Sequence, residues 1–184
     1  MAATLAAMHP ALDSLHKAYA EKLSPLSLSQ TQIHPEGDPA CWSTEQLVEH
    51  LLLSYRSSIR VLEERLQKGR ATQAPVTSQH EMLWRRFIGS GIFPGGQKAP
   101  EIVVPGQANL PDLSGRELAS LLAIDLEKMD GLLDACAGKF GSQPMASHVA
   151  FGPLSAEQWR EFHSVHGRHH LQQLAHITAY LEAV

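Results

Sequence analysis

Ser43-Thr44-Glu45-Gln46-Leu47-Val48-Glu49-His50-Leu51-Leu52-Leu53-Ser54 opens a helix that can be read residue by residue. Ser43 and Gln46 form a capping box: the serine oxygen accepts from the amide three residues on, and the glutamine side chain reaches back to the serine amide. Behind the box, Leu47, His50, Leu51, Ser54, Ser58, Val61 and Leu62 recur at three- and four-residue steps and so share one face. The helix is predicted to run to about Gln67, with Gly69 as its terminator. The same box recurs at Ser78-Gln79-His80-Glu81, Ser114-Gly115-Arg116-Glu117 and Ser155-Ala156-Glu157-Gln158. A single match means little. Four of them, each followed by a helical apolar period, mark four helix starts.

A further helix is expected to open near Pro10, with Leu12, Leu15, Tyr19 and Leu23 as its stripe, and to stop before Pro25. The helix after Ser78 is short, carries Trp84, Phe87 and Ile88, and ends at the break from Gly89 to Gly91. From Ser90 to Leu113 the chain is rich in Gly and Pro, as in Phe93-Pro94-Gly95-Gly96, and reads as a loop that crosses the molecule. The helix after Ser114 places Leu118, Leu121, Leu122, Met129, Leu132, Leu133 and Cys136 inward and ends at Gly138. An irregular stretch from Gly141 to Pro153 leads to the last helix. Glu101-Ile102-Val103-Val104 is the one candidate for an extended piece. The expectation is a single all-α domain over residues 1–184, a four-helix bundle with an extra short helix and long crossover loops.

Composition narrows the function classes. The chain has 184 residues, 43% hydrophobic and 18% charged, a globular balance. Its longest apolar runs fall far short of a bilayer span, and Met1 to Met8 lacks the basic start of a secretory leader, so no membrane partner is expected. A net charge of −4 without a basic patch argues against nucleic acid. Cys41 and Cys136 make no C-x-x-C pair and no zinc-ribbon spacing, which suits two reduced thiols in the cytoplasm.

The last helix carries an anomaly. His163-Ser164-Val165-His166-Gly167-Arg168-His169-His170 holds four of the chain's eleven histidines. His166 and His170 stand one turn apart on one face, near the middle of a stripe made by Trp159, Phe162, Leu174, Ile177 and Leu181. Two imidazoles so placed can reach one metal ion, and catalytic zinc characteristically takes three protein ligands. His9, His16 and His34 lie in or near the N-terminal segment, His80 in the first turn of the short helix, His148 in the irregular connection and His176 off the axis of the stripe. His50 faces inward mid-helix and can complete the set, although a lone buried histidine also serves as an ordinary hydrogen-bonded core residue. His163, one turn before His166, could ligate in its place, while His169 falls toward the rim. Gln173 sits where it can orient an imidazole or touch a substrate, or simply mark the core boundary. Asp125 interrupts an apolar stripe and needs a partner, either a ligand's free N–H or a Lys or Arg at the bundle edge. Ser54 either bonds near His50 or back-bonds to its own helix. Three neutral imidazoles would leave a divalent site positive, favouring an anionic nucleophile or substrate group.

Two segments carry a family resemblance. Cys41-Trp42-Ser43-Thr44-Glu45-Gln46-Leu47-Val48-Glu49-His50 resembles the opening of the second helix of the DinB/YfiT-like superfamily. His148-Val149-Ala150-Phe151-Gly152-Pro153-Leu154-Ser155, followed by His166-x-x-His169-His170-x-x-Gln173, resembles its last helix and lead-in, in an uncharacterised branch with a His-x-x-His-His-x-x-Gln motif. The proline expected after His148 is Val149 here. The resemblance covers about residues 8 to 181. It implies a metal-binding four-helix bundle, often a homodimer, with His50, His166 and His170 holding a divalent ion, usually zinc or nickel. It also implies chemistry of the thiol (S-)transferase, isomerase or hydrolase kind, with a low-molecular-weight thiol and a small electrophilic substrate. A non-catalytic metal- or ligand-binding bundle is the alternative.

Overall fold

The computed structural model describes residues 7–38, 40–93, 95 and 98–183. Met1 to Ala6, Pro39, Pro94, Gly96, Gln97 and Val184 lie outside them, and with these part of the stretch read against a leader and part of the Phe93-to-Gly96 loop. The fold is all-α apart from one small hairpin. Four long helices make the body: α1 (Pro10–Leu23), α3 (Thr44–Lys68), α5 (Gly115–Phe140) and α6 (Ala156–Ala183). Two short ones, α2 (Leu28–Thr31) and α4 (Ser78–Leu83), sit in the connections, α4 being prolonged by a wide turn over Trp84–Ile88. The strands β1 (Ala146–His148) and β2 (Gly152–Leu154) pair antiparallel just before α6.

Cross-helix bonds set the helix directions. The His9 amide donates to Asp130, while the Gly115 amide at the other end of α5 donates to the Leu26 carbonyl, so α1 and α5 are antiparallel. Arg56 pairs with Asp125, and Lys139 further along α5 donates to the Leu66 carbonyl, so α3 and α5 run parallel. Parallel neighbours need a long return. Residues 69–114 connect the two, and residues 101–108 lie as a strap over α3.

Caps explain most boundaries. Ser43, Ser114 and Ser155 each close the expected box with the residue three positions on. The box expected at Ser78 belongs instead to Thr77, whose oxygen accepts the His80 amide while His80 Nδ1 accepts the Thr77 amide. An imidazole acceptor fills the role of the glutamate. A further box, Ser27 with Gln30, starts α2.

Three expectations need correction. Glu101–Val103 is a single tight turn rather than an extended piece, closed by the Val103 amide on the Pro100 carbonyl. The α5 helix passes through Gly138 and ends at Gly141, whose φ of 61° lies in the left-handed region. Phe140 is buried in the core, and that packing outweighs the low helix propensity of one glycine. The stretch from Gly141 to Pro153 contains the hairpin, closed at its turn by His148 Nδ1, which accepts the Ala150 and Phe151 amides. Val149, in place of the expected proline, points into solvent at 80% exposure.

Two glycines sit at close helix crossings, and at Gly115 the backbone leaves no room for a Cβ. A Cβ on Gly115 would stand 1.9 Å from the Leu23 carbonyl oxygen. A Cβ on Gly167 would stand 2.3 Å from Leu15 Cδ2, and the Tyr19 hydroxyl donates to the Gly167 carbonyl at 2.7 Å. The α1 helix therefore braces α6 at the turn between His166 and His170. Lower down, Arg160 is 6% exposed and pairs with Asp130, Asp134 and Glu157, so its buried charge has partners on two helices.

Candidate metal centre

His50 projects from the second turn of α3, and His166 and His170 from adjacent turns of α6. All three are buried, at 4%, 6% and 5% exposure. Their Nε2 atoms converge: His166 lies 3.3 Å from His50 and 3.0 Å from His170. One ligand atom from each residue fits within 4.8 Å of the others. Three imidazole nitrogens bound at about 2.0–2.1 Å to one tetrahedral ion would stand about 3.3 Å apart, so the observed spacing suits a common ligand.

Hydrogen bonds on the far side of two rings decide what the near side offers. His50 Nδ1–H donates to the Val103 carbonyl at 2.7 Å. His170 Nδ1–H donates to Gln173 Oε1 at 2.7 Å. A neutral imidazole carries one N–H, so both Nε2 atoms present lone pairs to the same point. His166 Nε2–H could satisfy only one of them, and His166 Nδ1 is buried without a partner among the described residues. Protonation does not resolve the crowding. Burial and the neighbouring imidazoles push His170 down to about 3 and His166 well below its ordinary value, and burial lowers His50. A buried cluster of lone pairs that resists protons fits a cation, and these are the residues that could hold one.

The carbonyl on His50 comes from the strap, and α3 itself holds the strap in place. Glu49, buried beside His50, accepts the Gly106 and Ala108 amides with its two carboxylate oxygens, each at 2.7 Å. Trp42 packs against the His50 ring at a centroid distance of 5.1 Å. On the other side Phe162 stacks on His166 at 5.4 Å, 14° from parallel. Aromatic walls therefore fix ring planes while hydrogen bonds fix tautomers.

A family model described as a protein of unknown function, DUF1569, matches residues 11–177. The chain belongs to the DUF1569 family. No curated protein and no solved structure matches it. For this DUF1569 member the site is therefore read from its own residues.

The remaining candidates fall in different places. His163 lies outside the triad: its Nε2 bonds Ser58 Oγ at 2.9 Å, and Ser58 in turn donates to the Ser54 carbonyl. Ser54 contributes a carbonyl to that chain and lines the cavity above it. His169, half-buried, lies beside the His170 ring and Phe93, at the cavity wall. Of the two partners expected for Asp125, the structure shows the cation: it pairs with Arg56 at 2.6 Å on the α3–α5 face and not with a ligand imidazole. Among the described residues the buried carboxylates are Asp130, on Arg160, and Glu49. Sequence reasoning missed Glu49, the Val103 carbonyl and Trp42. Only Trp42, beside the capping serine, left a signal in the sequence.

Over the triad opens a cavity of about 760 Å³, walled by α3, α6, the hairpin and the strap. Trp42, Phe93, Phe162 and Ile102 make it mostly apolar, and His50, His166 and His170 form part of its lining. Its size lies within the range of small-molecule sites.

Proposed function

We propose that this protein is a divalent-metal-dependent enzyme acting on a small molecule, with His50, His166 and His170 as metal ligands and zinc or nickel as the metal. The observation that carries the reading is the convergence of three buried Nε2 atoms, two of them committed as lone pairs, on one point in the wall of a cavity. A bound ion of this kind supplies a Lewis acid that lowers the pKa of a thiol or water held on it. Three protein ligands leave room for such a group. The residues supply the rest: Val103 and Gln173 orient the imidazoles, and Trp42 and Phe162 limit access of water.

The resemblance to the DinB/YfiT-like superfamily supports a thiol (S-)transferase reaction with a low-molecular-weight thiol, and hydrolysis is the neighbouring option. The cavity favours an enzyme over a module that merely stores metal, because a closed four-ligand site would need none.

Metal content by mass spectrometry and zinc titration by calorimetry test the ligand set. About one ion per chain is expected, and His50→Ala should lower affinity by more than the roughly 100-fold upper range seen for outer-sphere changes. A wild-type protein with no stoichiometric divalent metal would sink the proposal. Thiol conjugation assayed over several electrophiles then separates transfer from hydrolysis.

A further inference from the structure

The cavity is longer than a metal site needs. Along α3 its wall runs from Leu47 to Val61, about 21 Å at helical rise. Along α6 it runs from Trp159 to Ile177. His50 faces His166 while Ser58 faces His163, so the two helices are antiparallel; the triad lies near the start of the α3 wall and midway along the α6 wall, with Gln173, His176 and Ile177 beyond it. From His50 to Val61 an arm of about 16 Å is left over. Phe151, Trp159 and Phe162 wall that arm, with Ser57 and Ser58 along α3. The Ser58 hydroxyl is already engaged with the Ser54 carbonyl and His163, and His148 Nδ1 with two hairpin amides, so the Ser57 hydroxyl and His148 Nε2–H are the polar groups these residues leave to the arm.

Charge is distributed just as unevenly. Among the described lining residues there is no carboxylate and no guanidinium, and Lys98 is the one ammonium. Glu49, adjacent to His50, spends both oxygens on the strap amides rather than on the cavity. Neutral imidazole ligands would leave the charge of a divalent ion uncompensated, so an anionic group is drawn to the triad.

We infer that the cavity binds an elongated, largely apolar molecule with a single anionic group, the anion at the triad and the apolar body along the Phe162–Phe151 arm, with Lys98 the one cationic side chain among the described lining residues. The anionic end rests on the metal reading; the arm does not.

The test uses zinc-loaded protein and the fluorescence of Trp42 and Trp159, titrated with acetate, hexanoate, decanoate, decanol and decyltrimethylammonium. Each buried methylene adds about fourfold in affinity, so decanoate should bind at least tenfold tighter than hexanoate. It should also bind at least tenfold tighter than decanol or the ammonium. Ser57→Phe, filling the arm from a half-buried position, should remove the advantage of decanoate and leave hexanoate and zinc binding unchanged. If that variant loses zinc, Ser57→Leu provides a smaller plug. Lys98→Ala should weaken decanoate several-fold and leave decanol unaffected. Affinity independent of chain length, equal binding of the ammonium, or indifference to a folded arm-filling variant overturns the inference. A wild-type protein that takes up no zinc overturns the metal reading alone, because chain-length preference is then measured on the metal-free protein.

Discussion

Gln173 shows how much one side chain can decide. Its Oε1 accepts from His170 Nδ1 at 2.7 Å and so keeps the Nε2 lone pair pointing at the triad. Gln173→Leu strands that N–H in a buried position, and calorimetry should show zinc affinity lower by about 10–100-fold with the fold retained. Residues of this kind were legible where helical spacing alone places them. His166, His170 and Gln173 follow one another turn by turn on α6, and His50 interrupts an apolar face on α3. Asp125 was not legible in that way. Its interruption of the stripe is plain, but its partner Arg56 is 69 residues away on another helix, and nothing in the local pattern selects a cation over an imidazole.

Among the elements, the strap decides the state of α3's ligand. Glu49 ties it down at Gly106 and Ala108, and the tied strap brings the Val103 carbonyl onto His50. Glu49→Gln places an amide NH₂ against a backbone N–H and can keep only one of the two bonds. Zinc affinity should fall about tenfold, within the range for outer-sphere partners. The decisive reading is nitrogen NMR of metal-free protein, in which His50 should lose its uniform Nδ1–H form; an unchanged tautomer would assign Glu49 to stability alone. The sequence carries no hint of this device, because the acceptor on His50 is a backbone atom of a loop. The hairpin escaped notice for a related reason: strands of three residues are too short to show alternation. Long helices were legible from caps and periodicity, which are local signals. The turn at Glu101–Val103 is set by where the strap must go, and a run of β-branched residues misleads there.

At the scale of the molecule, buried neutral histidines make the fold sensitive to acid. Burial lowers His148 to about 4 from an ordinary value near 6.5. The unfolded chain therefore takes up a proton first as pH falls, and the stability contributed by this site is complete above about 6.5 and lost toward 4. The full shift corresponds to about 3 kcal/mol. His163, lowered to about 3 by burial and by His148, acts in the same direction. Urea midpoints should drop from pH 7 to pH 5, and His148→Asn, which retains an acceptor for the Ala150 and Phe151 amides, should flatten the drop. No described helix is long and apolar enough to cross a membrane. The four long helices contribute to one hydrophobic core.

The ligands are divided between helices: His50 stands 116 residues before His166. An ion held by both would act as a reversible crosslink, closing a loop that includes α4, the strap, α5 and the hairpin. Metal uptake would then count toward folding itself, worth about 2.7 kcal/mol when free metal exceeds its dissociation constant 100-fold. Removal by a chelator should lower the melting temperature of the wild type and leave that of His50→Ala where it was. Abundance of the folded protein would in this way report on metal supply.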